Sequence, residues 1–293
     1  MKQFLGSEAI TTYDNAQAVI IPIPYEKTTT YRKGCQHGAM AIINASDQLE
    51  AYDIELKQET CMETGIYTVG AIADTRINPT ITPQEMLFQT TQAVSQIIQD
   101  NKFAIAIGGE HAITQGVVKA YHQQLNEPFT VVQIDAHGDL RHSYEGSIYN
   151  HACVMRRVLD MGVPILPVGI RSICKEEAKT IAAKKIPIVY AGNIYRNRSW
   201  KYQTIALIKT EKVFITIDLD GLDPSLMPGV GTPQPGGLNW YELTQFLKQL
   251  FLQKEVIGCD VMELSPLNDS VVSEFTAAKL IYKLIGYHNL SQK

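Results

Sequence analysis

The feature that most constrains this chain is a series of short β-branched runs that carry apolar residues on both alternate sets of positions rather than on one. They are AVIIPIP (18 to 24), FAIAI (103 to 107), TVVQI (130 to 134), ILPVGI (165 to 170), IPIVY (186 to 190), VFITI (213 to 217) and VIGCDVM (256 to 262). A strand with one wet face alternates apolar and polar side chains, so a run without alternation predicts a strand covered on both faces. Longer segments of helical period lie between the runs. TPQEMLFQTTQAVSQIIQD (82 to 100) opens with a Thr cap, a proline at the first helical position and an early acid. NWYELTQFLKQLFLQ (239 to 253) places Leu243, Phe246, Leu247 and Leu250 on one face, and DSVVSEFTAAKLIYKLIGY (269 to 287) offers Asp269 as a cap and Gly286 as a stop. Strands alternating with helices are βαβ units, which demand a mostly parallel sheet with helices on both faces. The expected class is therefore α/β, in one domain over residues 1 to 293, because no repeat, low-complexity tract or Pro/Ser-rich linker divides the chain. In such sheets ligands bind outside the carboxyl ends of the strands.

Composition narrows the partners. A formal charge of −4 and no basic stripe argue against nucleic acid; Lys184 with Lys185 and Arg196 with Arg198 read as solvated surface. Five cysteines at positions 35, 61, 153, 174 and 259 form no CxxC pair, and MKQFLGSEAITTYDN has no apolar leader core. No apolar run approaches the length of a membrane span. The expectation is a cytoplasmic protein with reduced thiols and no membrane contact.

Three strand ends carry side chains suited to metal. TVVQI is followed by Asp135, His137 and Asp139, VFITI by Asp218 and Asp220 in DLDGLDP, and FAIAI by GGEH, which ends on His111. Extended backbone turns residues i, i+2 and i+4 to one side, so Asp135, His137 and Asp139 can converge, as can Asp218 and Asp220. Singly each has an ordinary reading: a histidine after a Gly-Gly turn, an Asp-rich turn, a polar loop. Together they gather carboxylates that raise one another's pKa values unless cations compensate. Oxygen-rich donors, two imidazoles and no nearby thiolate favour Mn²⁺ or a similarly hard ion over structural zinc. Six ligands exceed one tetrahedral site and suit two ions about 3.5 to 4 Å apart that make a nucleophile from water. Two divalent ions neutralise the four aspartates, and a bridging hydroxide leaves a net negative site that attracts a cationic electrophile.

GGEH, DAHGD, SIYNHA, DLDGLDP, GVGTPQPGG and DVMELSP, together with TTTYRKGCQHGAMAI near the start, occur in an order and spacing that resembles the ureohydrolases, the arginase and agmatinase family, over nearly the entire chain. The resemblance implies a three-layer α/β/α fold around an eight-stranded parallel sheet, two Mn²⁺ ions per subunit and assembly as a homo-oligomer, a trimer or hexamer. It further implies that His111, Asp135, Asp139 and Asp218 hold one manganese and the bridge, while His137 and Asp220 serve mainly the other. His151 matches the family's proton-shuttling histidine, Asp139 is a second route for the leaving amine's proton, and Glu263 matches the acid that pairs with the substrate guanidinium. His151 also precedes the segment ACVMRRVLDMG, whose helical positive end would keep the ring neutral near pH 7, although it reads equally as a packed helix start. Glu263 closes a buried strand, where a carboxylate needs a partner; a guanidinium substrate or one of the chain's own arginines would serve.

The implied reaction is hydrolysis of a guanidino group to urea and an amine. The loop LRHSYEGSIYN (140 to 150) is similar to the agmatinase version, which points to agmatine, with putrescine and urea as products, and makes Glu145 a candidate for the amine end. Arg141 and His142 leave room for a carboxylated substrate, as in arginases, guanidino-acid hydrolases or formiminoglutamases. Glu110 stands where many relatives carry Asp, a mild change on this reading. A single-zinc deacetylase lacks the full ligand set, and a non-catalytic polyamine-binding relative would be expected to have lost some of it. GGEHAITQG lacks the Lys-Ser/Thr of a phosphate loop, and Cys153 reads as a packed thiol.

Overall fold

The computed structural model describes residues 2–9 and 11–292. Its strands are β1 (Ala18–Ile23), β2 (Tyr52–Asp53), β3 (Gln58–Glu59), β4 (Ile66–Thr68), β5 (Phe103–Gly108), β6 (Phe129–Ile134), β7 (Ile165–Ile170), β8 (Val189–Tyr190), β9 (Lys212–Asp218) and β10 (Glu255–Met262). The helices between them are α1 (Gly38–Ser46), α2 (Thr60–Thr64), α3 (Pro83–Gln99), α4 (Thr114–Gln124), α5 (Val154–Asp160), α6 (Lys175–Lys184), α7 (Ala191–Arg196), α8 (Trp200–Leu207), α9 (Trp240–Gln253) and α10 (Val272–Ser291). β2 and β3 form a small antiparallel hairpin; the other eight strands make one sheet in the order β4-β1-β5-β10-β9-β6-β7-β8, parallel at every pairing.

Two apolar cores flank this sheet, and alternate residues of each strand feed them. Ile20, Ile105, Ile215 and Cys259 face α1, α9 and α10, whereas Val19, Ala104 and Phe214 face α3, α4 and α5. Each fully buried aliphatic side chain contributes roughly 1.5–3 kcal/mol, which is why the runs are apolar on both alternate sets. The layers are thus α/β/α, as expected. No described helix is long and apolar enough to cross a membrane.

Differences from expectation fall at edges and caps. β4, at one edge of the sheet, is three residues long, too short to stand out in the sequence, and β8 at the other edge covers only Val189–Tyr190 of the expected 186 to 190. Thr82 caps α3 as its sequence predicts, in a reciprocal pair: its hydroxyl accepts from Glu85 N at 3.2 Å while its own N donates to Glu85 Oε2 at 2.7 Å. Asp269 does not cap α10, which begins after Val271 without a side-chain cap. Nor does Gly286 stop it: the helix runs on to Ser291, and Gly286 is buried where a Cβ would collide with Leu56 of the hairpin. The glycine is there for close packing, not termination.

Candidate active site

Strands β5, β10, β9 and β6 are neighbours, so their carboxyl ends form one contiguous rim. At the end of β5, Gly109 lets two backbones touch, since a Cβ there would overlap the carbonyl of Tyr25. That close approach seats His111, fully buried, at the start of the short turn leading into α4. His111 Nε2 is 2.8 Å from Thr216 Oγ1, which fixes the ring and turns Nδ1 to the rim. Nδ1 lies 3.1 Å from Asp139 Oδ2 and 3.3 Å from both Asp135 Oδ2 and Asp218 Oδ2.

Beyond β6, Asp135 is fully buried and braced by Gln133 Nε2, which donates to its Oδ2 at 2.8 Å, and by His137 N, which donates to its Oδ1 at 2.6 Å. Asp139 adopts the left-handed region at φ 52, swinging its carboxylate back to His111. Past β9 the turn Leu219–Gly221 is closed by Asp220 N donating to Asp218 Oδ1 at 2.9 Å. Asp220 Oδ2 sits 2.9 Å from His137 Nδ1 and 3.2 Å from Thr232 Oγ1.

Two overlapping ligand groups result, His111–Asp135–Asp139 and Asp135–His137–Asp220, with Asp218 beside the first. The donor set fits metal on a specific observation. His111 Nδ1 is buried without a hydrogen bond of good geometry, although three carboxylate oxygens surround it. Atoms that converge on a point instead of on one another are placed as ligands are. The charges agree. Burial, then the neighbouring Asp139 and Asp220, push the Asp135 carboxyl up to about 7, and burial with Asp220 and Asp135 pushes Asp218 well above the carboxylate range. Burial opposes the charged form of Asp220 as well, but the hydrogen bond to His137 holds it at about 2. Burial alone would keep His137 neutral; Asp220 overrides it and raises the ring to about 10. Such mutual strain among acids is what bound cations relieve.

A cavity of about 230 Å³ opens over this rim, lined by His137, Asp139, Asp218, Asp220, His151 and Glu263 among others. His111 and Asp135 are not among its lining residues. Glu263 follows β10 at φ 68, a strained conformation for a side chain of this kind, held by its N donating to Gly109 O at 2.8 Å. Its Oε1 accepts from His111 N at 2.7 Å and lies 3.5 Å from His151 Nδ1. Among the described residues no Lys or Arg pairs with it, so the chain's own arginines do not take the partner's place. His151 Nε2 is buried and unpartnered. The expected helix effect on His151 is outweighed: burial favours the neutral ring, but Glu263, then Asp139 and Glu110, raise it to about 9, and only a short turn (His151–Cys153) follows before α5.

Glu145 stands apart. It is exposed at the tip of the Tyr144–Ser147 turn, in the left-handed region, and does not line the cavity. Arg141 and Tyr144 of the same loop do, with the Arg141 guanidinium 4.5 Å above the Tyr144 ring. Sequence reasoning also missed Thr30, Ser172 and Thr232 on the cavity wall, because single hydroxyls in loops carry no periodic or spacing signal. It missed Arg171, whose guanidinium donates to the carbonyls of Gly169, Asp220, Gly221, Leu222, Gln234 and Pro235 at 2.7 to 3.2 Å.

Residues 16–286 match the family model described as the arginase family. The chain belongs to the arginase family. Among relatives of this arginase-family chain, the N(1)-aminopropylagmatine ureohydrolase of Synechocystis sp. is 56% identical over 292 residues, covering 100% of this chain and 95% of that one. The agmatinase of Pyrococcus horikoshii is 33% identical, with 93% and 92% covered. The crystal structure of the agmatine ureohydrolase of Thermoplasma volcanium superposes with a TM-score of 0.87 at 32% identity, covering 98% of this chain and 94% of that one. The arginase-family chain is thus a ureohydrolase by descent, and its fold is that of the Thermoplasma enzyme.

Proposed function

We propose that this ureohydrolase hydrolyses the guanidino group of an agmatine-type substrate to urea and an amine, and that it prefers N(1)-aminopropylagmatine to agmatine. The observation that carries the reaction is the pair of ligand groups sharing Asp135 beside Glu263 and His151 in one cavity. The preference is supported by the 56% identity to the Synechocystis enzyme over the whole chain, against 33% to the Pyrococcus agmatinase. Agmatine, expected from the loop at 140 to 150, is the second reading.

His111, Asp135, Asp139 and Asp218 are proposed to hold one divalent ion, and His137 and Asp220, with Asp135 shared, the other; oxygen-rich donors favour Mn²⁺. When bound, the two ions supply water acidified enough to act as a nucleophile at neutral pH, and positive charge where the carbon becomes tetrahedral. The chain's own groups do the rest. Glu263 accepts the guanidinium N–H groups and orients the planar cation, a paired geometry that carboxylates suit. His151, whose Nε2 is free, holds a proton near the leaving nitrogen and delivers it as the C–N bond breaks. Asp139, lining the same cavity, is the second route for that proton. Addition of water to N(1)-aminopropylagmatine gives urea and spermidine, and addition to agmatine gives urea and putrescine, so either reading serves polyamine synthesis. A cytoplasmic homo-oligomer of three or six chains accompanies this reading and is checked by light scattering.

The test is urea release by the manganese-loaded protein from N(1)-aminopropylagmatine, agmatine, arginine and guanidinobutyrate. A kcat/KM at least tenfold higher for the aminopropyl compound than for agmatine is expected. Preference for arginine or guanidinobutyrate would overturn the substrate class, and no urea from any of them would overturn the activity.

A further inference from the structure

Glu110 is fully buried, and its side chain is not used where an acid at a helix start ordinarily is. It occupies the cap position of the turn His111–Ile113 yet makes no side-chain cap there. Instead it reaches a segment more than eighty residues earlier: Oε2 accepts from Lys27 N at 2.6 Å and Thr28 N at 2.7 Å, and Oε1 accepts from Thr28 Oγ1 at 2.7 Å. No Lys or Arg pairs with Glu110 among the described residues. Burying a carboxylate this way costs several kcal/mol unless its hydrogen bonds offset it, and these three bonds tie the 27–28 turn to Glu110.

The turn in turn carries the segment before α5. Thr28 Oγ1, which donates its hydrogen bond to Glu110, accepts from His151 N at 2.9 Å, and Thr28 O accepts from Asn150 Nδ2 at 3.2 Å. Asn150 then caps the His151 turn by accepting from Ala152 N at 2.9 Å. The Thr28 hydroxyl thus donates to Glu110 and accepts from the backbone N–H of His151, one oxygen joining the acid to the histidine.

We propose that Glu110 and Thr28 are positioning residues that set where His151 stands opposite Glu263. The inference rests on the proposed role of His151. Glu110 is then more than a tolerated relative of aspartate. An aspartate at this position is one methylene shorter and cannot hold Lys27 N and Thr28 N at their present distances without moving the turn.

The test is a double-mutant cycle on the manganese-loaded protein, with urea release and bound metal measured for wild type, Thr28→Val, Thr28→Ser, Glu110→Asp, His151→Ala and Thr28→Val/His151→Ala. Displacing a reacting group by about 1 Å costs on the order of a hundredfold, so a tenfold or greater fall in kcat is expected for Thr28→Val and Glu110→Asp, with KM within about twofold. Both ions should be retained. Thr28→Ser, which keeps the hydroxyl, should recover wild-type kcat within about threefold. In the His151→Ala background Thr28→Val should cost nothing more, since partners acting through one group are non-additive. Full additivity, loss of metal in Thr28→Val, or no rescue by serine would overturn the inference while leaving the proposed reaction intact. An unchanged kcat in His151→Ala would overturn the role of His151 and this inference with it. Crystal structures of wild type and Thr28→Val supply a readout that needs no turnover: His151 is expected to shift away from Glu263, and an unmoved ring would overturn the proposal.

Discussion

Asp135 and His111 are both fully buried, and Asp135 Oδ2 lies 3.3 Å from the unpartnered His111 Nδ1. The other oxygen of Asp135 faces His137 Nδ1 at 3.7 Å. One carboxylate therefore serves both ligand groups, while Asp220 serves one. Asp135→Ala is expected to lose both ions and all measurable urea release. Asp220→Ala should lose one ion per chain. Elemental analysis after dialysis checks this, and two retained ions in Asp135→Ala would remove the shared-ligand assignment.

Arg171 ties β7's end to the turn that carries Asp220 through carbonyls alone. Replacing it with methionine removes hydrogen bonds to several part-buried carbonyls, each worth about 1 kcal/mol. Arg171→Met should lower the stability of the metal-free protein by at least about 2 kcal/mol in urea unfolding. It should also weaken manganese binding by about tenfold or more, the usual scale for groups that orient a ligand. Arg171→Lys, with three donors instead of a planar fork, should recover only part of either.

Arg141 sits at the cavity wall over Tyr144, and on the proposed function it would stand near the cationic tail of the substrate. Two like charges about 6 Å apart in a wet site repel by somewhat under 1 kcal/mol. Arg141→Gln is thus expected to lower KM for agmatine about threefold at low salt, and less at high salt. A raised KM would mean that Arg141 holds the loop in place or binds the substrate.

His288 stacks on Phe103 with ring centroids 3.9 Å apart, and burial depresses its pKa to about 4. The unfolded value is about 6.5, so the folded state binds fewer protons between the two. Stability from this site is complete above about pH 6.5 and is lost as pH falls toward 4, a change of up to about 3 kcal/mol. His288→Phe keeps the stack without the titration. Urea unfolding at pH 7.5 and 5 should show the variant losing less stability than wild type over that interval.

Much of this was legible in the sequence because the signals are local. A strand covered on both faces announces itself by its apolar run, and the candidate ligands Asp135, His137 and Asp139 lie within five residues of one another at a strand end. What was not legible depends on pairs that only the fold creates. β4 is too short to have a period, and Gly286 reads as a stop until the hairpin at Leu56 is placed against it. Glu110 and Thr28 are a pair only once the backbone of Gly109 has been laid against Tyr25. The placement of Glu145 also needed the fold: this acid is exposed at the tip of its loop, while its neighbour Tyr144 lines the cavity.

The sheet order sets a timetable. β10, which comes last among the strands in the chain, lies between β5 and β9 in the middle of the sheet. A polypeptide leaving the ribosome therefore has its β5 and β9 ends, with His111 and Asp218, separated by a slot until residues 255–262 emerge and insert. Glu263 arrives with the strand that closes the slot, and the same insertion brings His111 beside the aspartates at the paired β6 and β9 ends. The β6 and β9 ends pair directly and can bring Asp135, His137 and Asp220 together without that strand, whereas the full set with His111 and Glu263 needs it in place.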